Sequence, residues 1–187
     1  MKDNTPFFKK LTAQALDNGA CNAAVIDVSK MELDPVFRSM CESNACGNYG
    51  KCWMCPPDIG DIASLMDQIR AFDYVLVYQT VGVLEDSYDF EGMMEAGQRH
   101  NHLTQQLAGI MTSESFQQIL HLGAGGCRLC PKCAKKDNLP CRHPDQALSS
   151  LEAYGINVSK LAETCGMKYI NGQNTVTYFG AVFFVLQ

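Results

Sequence analysis

No apolar run in this sequence approaches the roughly 20 residues that a membrane-crossing helix requires, and the opening Met1-Lys2-Asp3-Asn4-Thr5-Pro6 carries no signal-peptide core. The expectation is a cytoplasmic protein with no membrane partner. Tryptophan occurs once, and 15 Lys and Arg face 20 Asp and Glu, for a net charge of −5. Without an extended basic stripe to neutralise phosphates, nucleic acid is excluded as a partner. The motifs of several enzyme classes are also missing. Ser149 and Ser150 sit in no nucleophile elbow, and no paired carboxylates mark an acid–base site. The run Gly123 to Gly126 lacks the Lys-Ser/Thr of a phosphate loop and the spacing of a dinucleotide fingerprint, and reads as a tight approach of chain around a bound group. The catalytic residues, if there are any, are unknown at this level.

What the chain does have is a globular balance, 47% hydrophobic and 19% charged over 187 residues. One domain of this length buries roughly 70% of its unfolded surface and folds without disulfides. Against that background ten cysteines stand out. In a reducing compartment such a count points to metal or redox chemistry rather than to a disulfide framework.

The coarse pattern is α/β (α+β). A helix is expected over Phe7–Leu16, a strand over Ala23–Val28, and a helix with the stripe Ile62, Leu65, Met66, Ile69 behind the possible caps Asp58 and Asp61. The β-branched and aromatic run 74–83 is a buried strand. Residues 84–95, acidic with no Lys or Arg, form a solvated loop or the lip of a site. A long helix follows through Leu103, Leu107, Ile110 and Met111, then a second helix capped by Ser113 with Phe116, Ile119 and Leu120. Short helices are expected over Ala147–Tyr154 and Val158–Cys165, and a closing hairpin pairs 168–170 with Thr175–Leu186. The expected whole is a single compact domain over 1–187, with a mixed sheet, flanking helices and two cysteine loops at 41–57 and 126–144.

The first loop is Cys41-x4-Cys46-x5-Cys52-x2-Cys55-Pro56-Pro57, and the second is Cys127-x2-Cys130-x2-Cys133-x7-Cys141. Two-residue spacing turns neighbouring thiolates toward a common centre. Three in succession suit three corners of a [4Fe-4S] cube, with a fourth cysteine arriving from further along the chain. Zinc usually takes two cysteines from one knuckle and two ligands from another, so the triplet favours iron, with zinc as the alternative. Between 127 and 143, Arg128, Lys132, Lys135, Lys136 and Arg142 outnumber Asp137. Such a cationic rim suits either an anionic cluster or an acidic redox partner. Cys55 stands before a helix start whose dipole is expected to lower its pKa. Tyr49, Trp53 and Met54 pack around the bound group or in the core. Cys21 and Cys165 fall outside both sets and are expected to be small buried residues. His100, His102 and His121 are expected in helices, as core or surface residues, while His143 beside Cys141 is the histidine to examine as a ligand or a hydrogen-bond donor to sulfur.

The residues Cys46-Gly-Asn-Tyr-Gly…Cys-Pro-Pro57, Gly126-Cys-Arg-Leu-Cys-Pro-Lys-Cys…Pro-Cys-Arg-His-Pro144 and Ser150-Leu-Glu-Ala-Tyr-Gly-Ile-Asn-Val158 resemble a family described only as predicted metal-binding proteins, domain of unknown function 2284. Proteins similar to it come largely from anaerobes. The resemblance implies metal ligands at Cys46, Cys55, Cys127, Cys130, Cys133 and Cys141, with Cys41 as an upstream partner. The gap from Cys41 to Cys46 is one residue longer than in that pattern, and Cys52 falls where the pattern has no fixed cysteine. If Cys52 is not a ligand, the first set has three thiolates and one open iron. The expected cofactor is one or two [4Fe-4S] clusters held by these eight cysteines, which pass single electrons to a flavin, corrinoid or iron–sulfur partner. A structural zinc module and a reductase with an open iron are the alternatives.

Overall fold

A computed structural model describes residues 4–112 and 116–187. The expected cap Ser113 and the first three residues lie outside that range. Helix α1 (Thr5–Asp17) starts with Pro6 in its first turn, where a missing N–H costs nothing, and ends at Asn18 and Gly19, the latter at φ +109°. Strand β1 (Asn22–Asp27) follows. Helix α2 (Val36–Glu42) has no counterpart among the sequence expectations, although Asp34-Pro35 before it is a legible start signal; the Asp34 carboxylate accepts the Val36 N–H at 2.8 Å. Helix α3 (Ile62–Arg70) is capped by Asp61, which accepts from the Ser64 N–H at 3.1 Å. Strand β2 (Tyr74–Val83) agrees with its expected span. Helix α4 (Phe90–Ile110) begins inside the stretch expected to be loop, because Asp89 caps it through the Gly92 N–H at 2.8 Å.

Residues 116–122 are strand β3 (Phe116–Leu122), not the second helix expected there. Apolar residues at 116, 119 and 120 fit a helical face, and only pairing with another strand decides the matter. His121 is accordingly a strand residue. Only the last turn of the expected helix at 147–154 forms, as a 3-10 turn over Glu152–Tyr154. Helix α5 (Val158–Thr164) and strand β4 (Thr175–Leu186) complete the elements. Residues 168–170 form no strand, so the closing hairpin is replaced: β4 pairs instead with β2 and β3.

The class is α+β, and the sheet order is β1-β2-β4-β3. The expected mixed sheet is corrected, since among the described residues every ladder is antiparallel and the one parallel contact is an isolated bridge between Gly123 and Ser150. Alternation of helices and strands suggested crossovers between parallel neighbours, but β4 enters between two strands that both run opposite to it. In β2 and β4 the side-chain period of two splits the apolar residues between both faces. Val75, Val77, Ala181 and Phe183 meet Leu65, Ile69, Tyr154 and Leu161, from α3, the 3-10 turn and α5. Leu76, Tyr78, Val182 and Phe184 meet Leu11, Ala15, Leu103 and Leu107, from α1 and α4. Burial on both faces explains why 74–83 reads as a nearly continuous apolar run. Among the described residues no helix is long and apolar enough to cross a membrane.

Close approach on the α4 side depends on Gly180. The Tyr78 ring lies directly over it, 2.3 Å from where a Cβ would stand, and the Tyr78 hydroxyl donates to Thr104 of α4 at 2.9 Å. His100 is buried beside this contact, stacked on Tyr78 at 5.6 Å between ring centroids, with Thr80 Oγ1 2.9 Å from its Nδ1. Burial lowers the pKa of His100 from 6.5 to about 4, and that of His121 likewise to about 4.

Two outcomes are expected. Gly180→Ala forces Tyr78 from its place and lowers the free energy of unfolding by about 1–3 kcal/mol in urea titrations. Both histidines are neutral in the fold and take protons more readily when unfolded. Stability is therefore complete above pH 6.5 and falls as pH drops from 6.5 toward 4, by roughly 3 kcal/mol per histidine. Urea titrations between pH 7 and 4 measure that slope, and His121→Gln flattens it.

Candidate metal centre

The first cysteine segment starts on α2, which carries Cys41, and continues as consecutive turns. Asn44, at φ +54°, accepts the Tyr49 N–H on its side chain at 3.0 Å. The Cys55 N–H donates to the Cys52 carbonyl at 3.0 Å, closing the Cys-x2-Cys step into one turn, and the Asp58 N–H donates to the Cys55 carbonyl at 3.1 Å. Cys52 and Cys55 are buried, Cys41 is half-buried and Cys46 exposed.

The second segment leaves the end of β3. Gly123 continues the sheet for one residue, taking the Leu151 N–H at 3.2 Å and donating to the Ser149 carbonyl at 2.9 Å. Three residues on, Gly126 meets the first segment: a Cβ there would stand 2.7 Å from the Asn48 side-chain nitrogen. The expected tight approach at the glycine run is thus a contact between the two cysteine segments. Trp53 donates its indole N–H to the Leu139 carbonyl at 2.9 Å, and Lys135 sits 4.1 Å above the Trp53 ring while pairing with Asp58. These contacts fasten the segments at a second point.

The eight cysteines gather around two cavities, and the division is not the one the sequence order suggests. Cys52, Cys127, Cys130, Cys133 and Cys141 line a narrow cavity of about 20 Å3 with Trp53, Met54 and His143. Cys41, Cys46 and Cys55 line a wider one of about 270 Å3 with Tyr49, Pro56 and Glu152. The turn at 52–55 therefore stands between them and presents one sulfur to each. Cys21 and Cys165 belong to neither. Cys165 packs against the core, where burial raises its pKa to about 11, but Cys21 is exposed, contrary to expectation.

Electrostatics at the junction run opposite to the helix-dipole expectation. The Cys55 thiol donates to Cys52, and with further help from the Met54 and Cys127 N–H groups and the Cys133 thiol it lowers the Cys52 pKa despite burial. Cys55 keeps the proton in that bond, so its own pKa is raised rather than lowered, first by the bond and then by burial. Helix α3 begins seven residues later, too far for its dipole to act. Cys41 is raised by burial and then by the Glu152 carboxylate, with Arg38 pulling the other way, and Cys127 is raised by burial. The cationic rim is also smaller than the sequence count. Lys132 pairs with Asp137, Lys135 with Asp58, and Arg128 lies against Gly97 of α4. Arg142 donates to the Lys132 carbonyl at 3.0 Å.

Among the described residues no three His, Cys, Asp or Glu side chains stand close enough to hold one metal ion. A zinc ion would need thiolates drawn in to about 2.3 Å from it. Three residues of the site are invisible to sequence reasoning. Buried Arg38 donates to the Ala153 carbonyl at 3.0 Å and the Gly60 carbonyl at 2.8 Å, Asn48 lies against Gly126, and Glu152 lines the wider cavity. Arg38 lies outside every motif, and the motifs that contain Asn48 and Glu152 do not show that either meets the cysteines.

Comparison with known families gives one result. The family model described as predicted metal-binding protein (DUF2284) matches residues 24–184, which contain all eight cysteines of the two cavities, and the chain belongs to that family. No curated protein and no solved structure matches it.

The segment contact has a testable consequence. Gly126→Ala turns the end of the flexible Asn48 side chain aside and costs up to about 1 kcal/mol of stability by urea titration. Shortening the neighbour in the double variant Gly126→Ala, Asn48→Ala recovers most of that loss, whereas equal destabilisation of the two would show that the contact is not what strains the loop.

Proposed function

We propose that this metal-binding protein is an iron–sulfur protein, which holds [4Fe-4S] clusters in its two cysteine-lined cavities and passes single electrons to a partner protein of flavin, corrinoid or iron–sulfur type. The observation that carries this reading is the narrower cavity, where the triplet Cys127, Cys130 and Cys133 is met by Cys52 and Cys141. Three thiols from one short loop and a fourth from elsewhere are the donor set a cube takes.

A bound cluster supplies one-electron chemistry; the chain supplies its surroundings. Trp53 and Met54 cover the narrower cavity and limit water, which tunes the potential of whatever is held there. The backbone N–H groups of Met54 and Cys127 point at Cys52 and favour its thiolate, the form that binds metal. Buried sulfurs whose thiols are costly to ionise alone, such as Cys127, become favourable once a cation core neutralises them. His143 lines the same cavity, which supports a role for it as a hydrogen-bond donor to a sulfur.

Protein purified without oxygen is expected to contain about four or eight irons with matching acid-labile sulfide, and to show a brown absorbance that bleaches with dithionite. Stoichiometric zinc with no iron would overturn the assignment. Cys130→Ser is expected to remove one cluster's worth, about four irons. Five cysteines surround a cavity whose cube takes four. Of the single variants Cys52→Ser and Cys141→Ser, one is therefore expected to lose the same four irons and the other to keep them.

A further inference from the structure

The wider cavity is one thiol short of a complete donor set. Its cysteines are Cys41, Cys46 and Cys55, and the fourth cysteine of that segment, Cys52, lines the other cavity. The one acidic side chain on its wall is Glu152, half-buried, and among the described residues it takes part in no salt bridge.

Its position there is built rather than incidental. Arg38 is only 7% exposed, yet its partners are two backbone carbonyls and no carboxylate. One carbonyl belongs to Ala153, next to Glu152; the other belongs to Gly60, at the end of the stretch that leaves Cys55. Arg38 itself lies one helical turn before Cys41 on α2. A single buried guanidinium therefore ties together the three pieces of chain that bring Cys41, Cys55 and Glu152 to one cavity. A buried cation with no counter-ion is costly, and an anionic centre in the adjacent cavity offsets that cost.

We propose that Glu152 is the fourth ligand of a second centre formed with Cys41, Cys46 and Cys55, and that its oxygen leaves one iron exchangeable. The proposal rests on the iron–sulfur reading above. A carboxylate is a harder and more readily displaced donor to iron than a thiolate. The unique iron therefore faces the more open of the two cavities, while the narrower cavity keeps an all-cysteine set.

The test uses the full chain, purified without oxygen, as wild type, Glu152→Cys and Glu152→Gln. Each is treated with ferricyanide as the oxidant, with iron counted per chain and low-temperature EPR recorded before and after. One electron passes to ferricyanide and one Fe2+ leaves, so that [4Fe-4S]2+ becomes [3Fe-4S]+. Wild type is expected to fall from about eight irons to about seven and gain the three-iron signal. Glu152→Cys is expected to keep all its iron, and Glu152→Gln to lose the same iron without oxidant. A wild type that keeps every iron, or a Glu152→Cys that loses iron as wild type does, overturns the proposal. A total of only about four irons, all removed by Cys130→Ser, also overturns it while leaving the iron–sulfur reading intact. Zinc in place of iron overturns both.

Discussion

Strand β4 joins the two halves of the sheet, and the metal centre depends on where it puts the end of β3. It pairs with all of β2, from Thr175 opposite Val83 to Phe184 opposite Tyr74, and on its other edge with β3, ending at Leu122 opposite Ala181. β3 pairs only with β4 among the strands, so its register is set there. The second cysteine segment begins one residue beyond that pairing, at the Gly123–Ser150 bridge. From this anchored start Gly126 reaches Asn48, and the first segment, itself anchored by α2 and α3, meets the second.

Within the site, little regular structure holds the sulfurs. Their placement comes from short turns, from contacts between the segments, and from a few charges used internally. Lys135 spends its charge on Asp58 and on the face of Trp53, and Arg38 spends its own on carbonyls. Cations that look like a rim in the sequence thus act partly as fasteners between segments. The hydrogen bond between Cys55 and Cys52 has a related effect, because it makes one turn serve two cavities with sulfurs of opposite tendency.

Legibility differed by kind of element. Strand β2 and helices α1, α3 and α5 were plain in the sequence because their apolar spacing, caps and stops agree with one another. β3 was not, because Phe116, Ile119 and Leu120 satisfy a helical stripe as well as a strand buried on both faces. The closing hairpin was misplaced because Asn171-Gly172 resembles a turn between strands, whereas the partners of β4 lie some 60 and 100 residues earlier in the chain. Pairing across such distances leaves no local mark.

By itself the sequence determined that the chain is a metal-binding protein. Ten cysteines, eight of them in two spaced sets, supply most of the donors, and ligand spacing is a local property of the chain. It also determined the α+β class, through the periods of its apolar residues. Only the tertiary structure decided which cysteines share a cavity. Cys52 and Cys55 are three residues apart and hydrogen-bonded to each other, and yet line different cavities, because the other residues on each side come from remote segments. Arg38 and Glu152 entered the site in the same way: a buried guanidinium and a lone carboxylate acquire their roles from what the fold brings beside them.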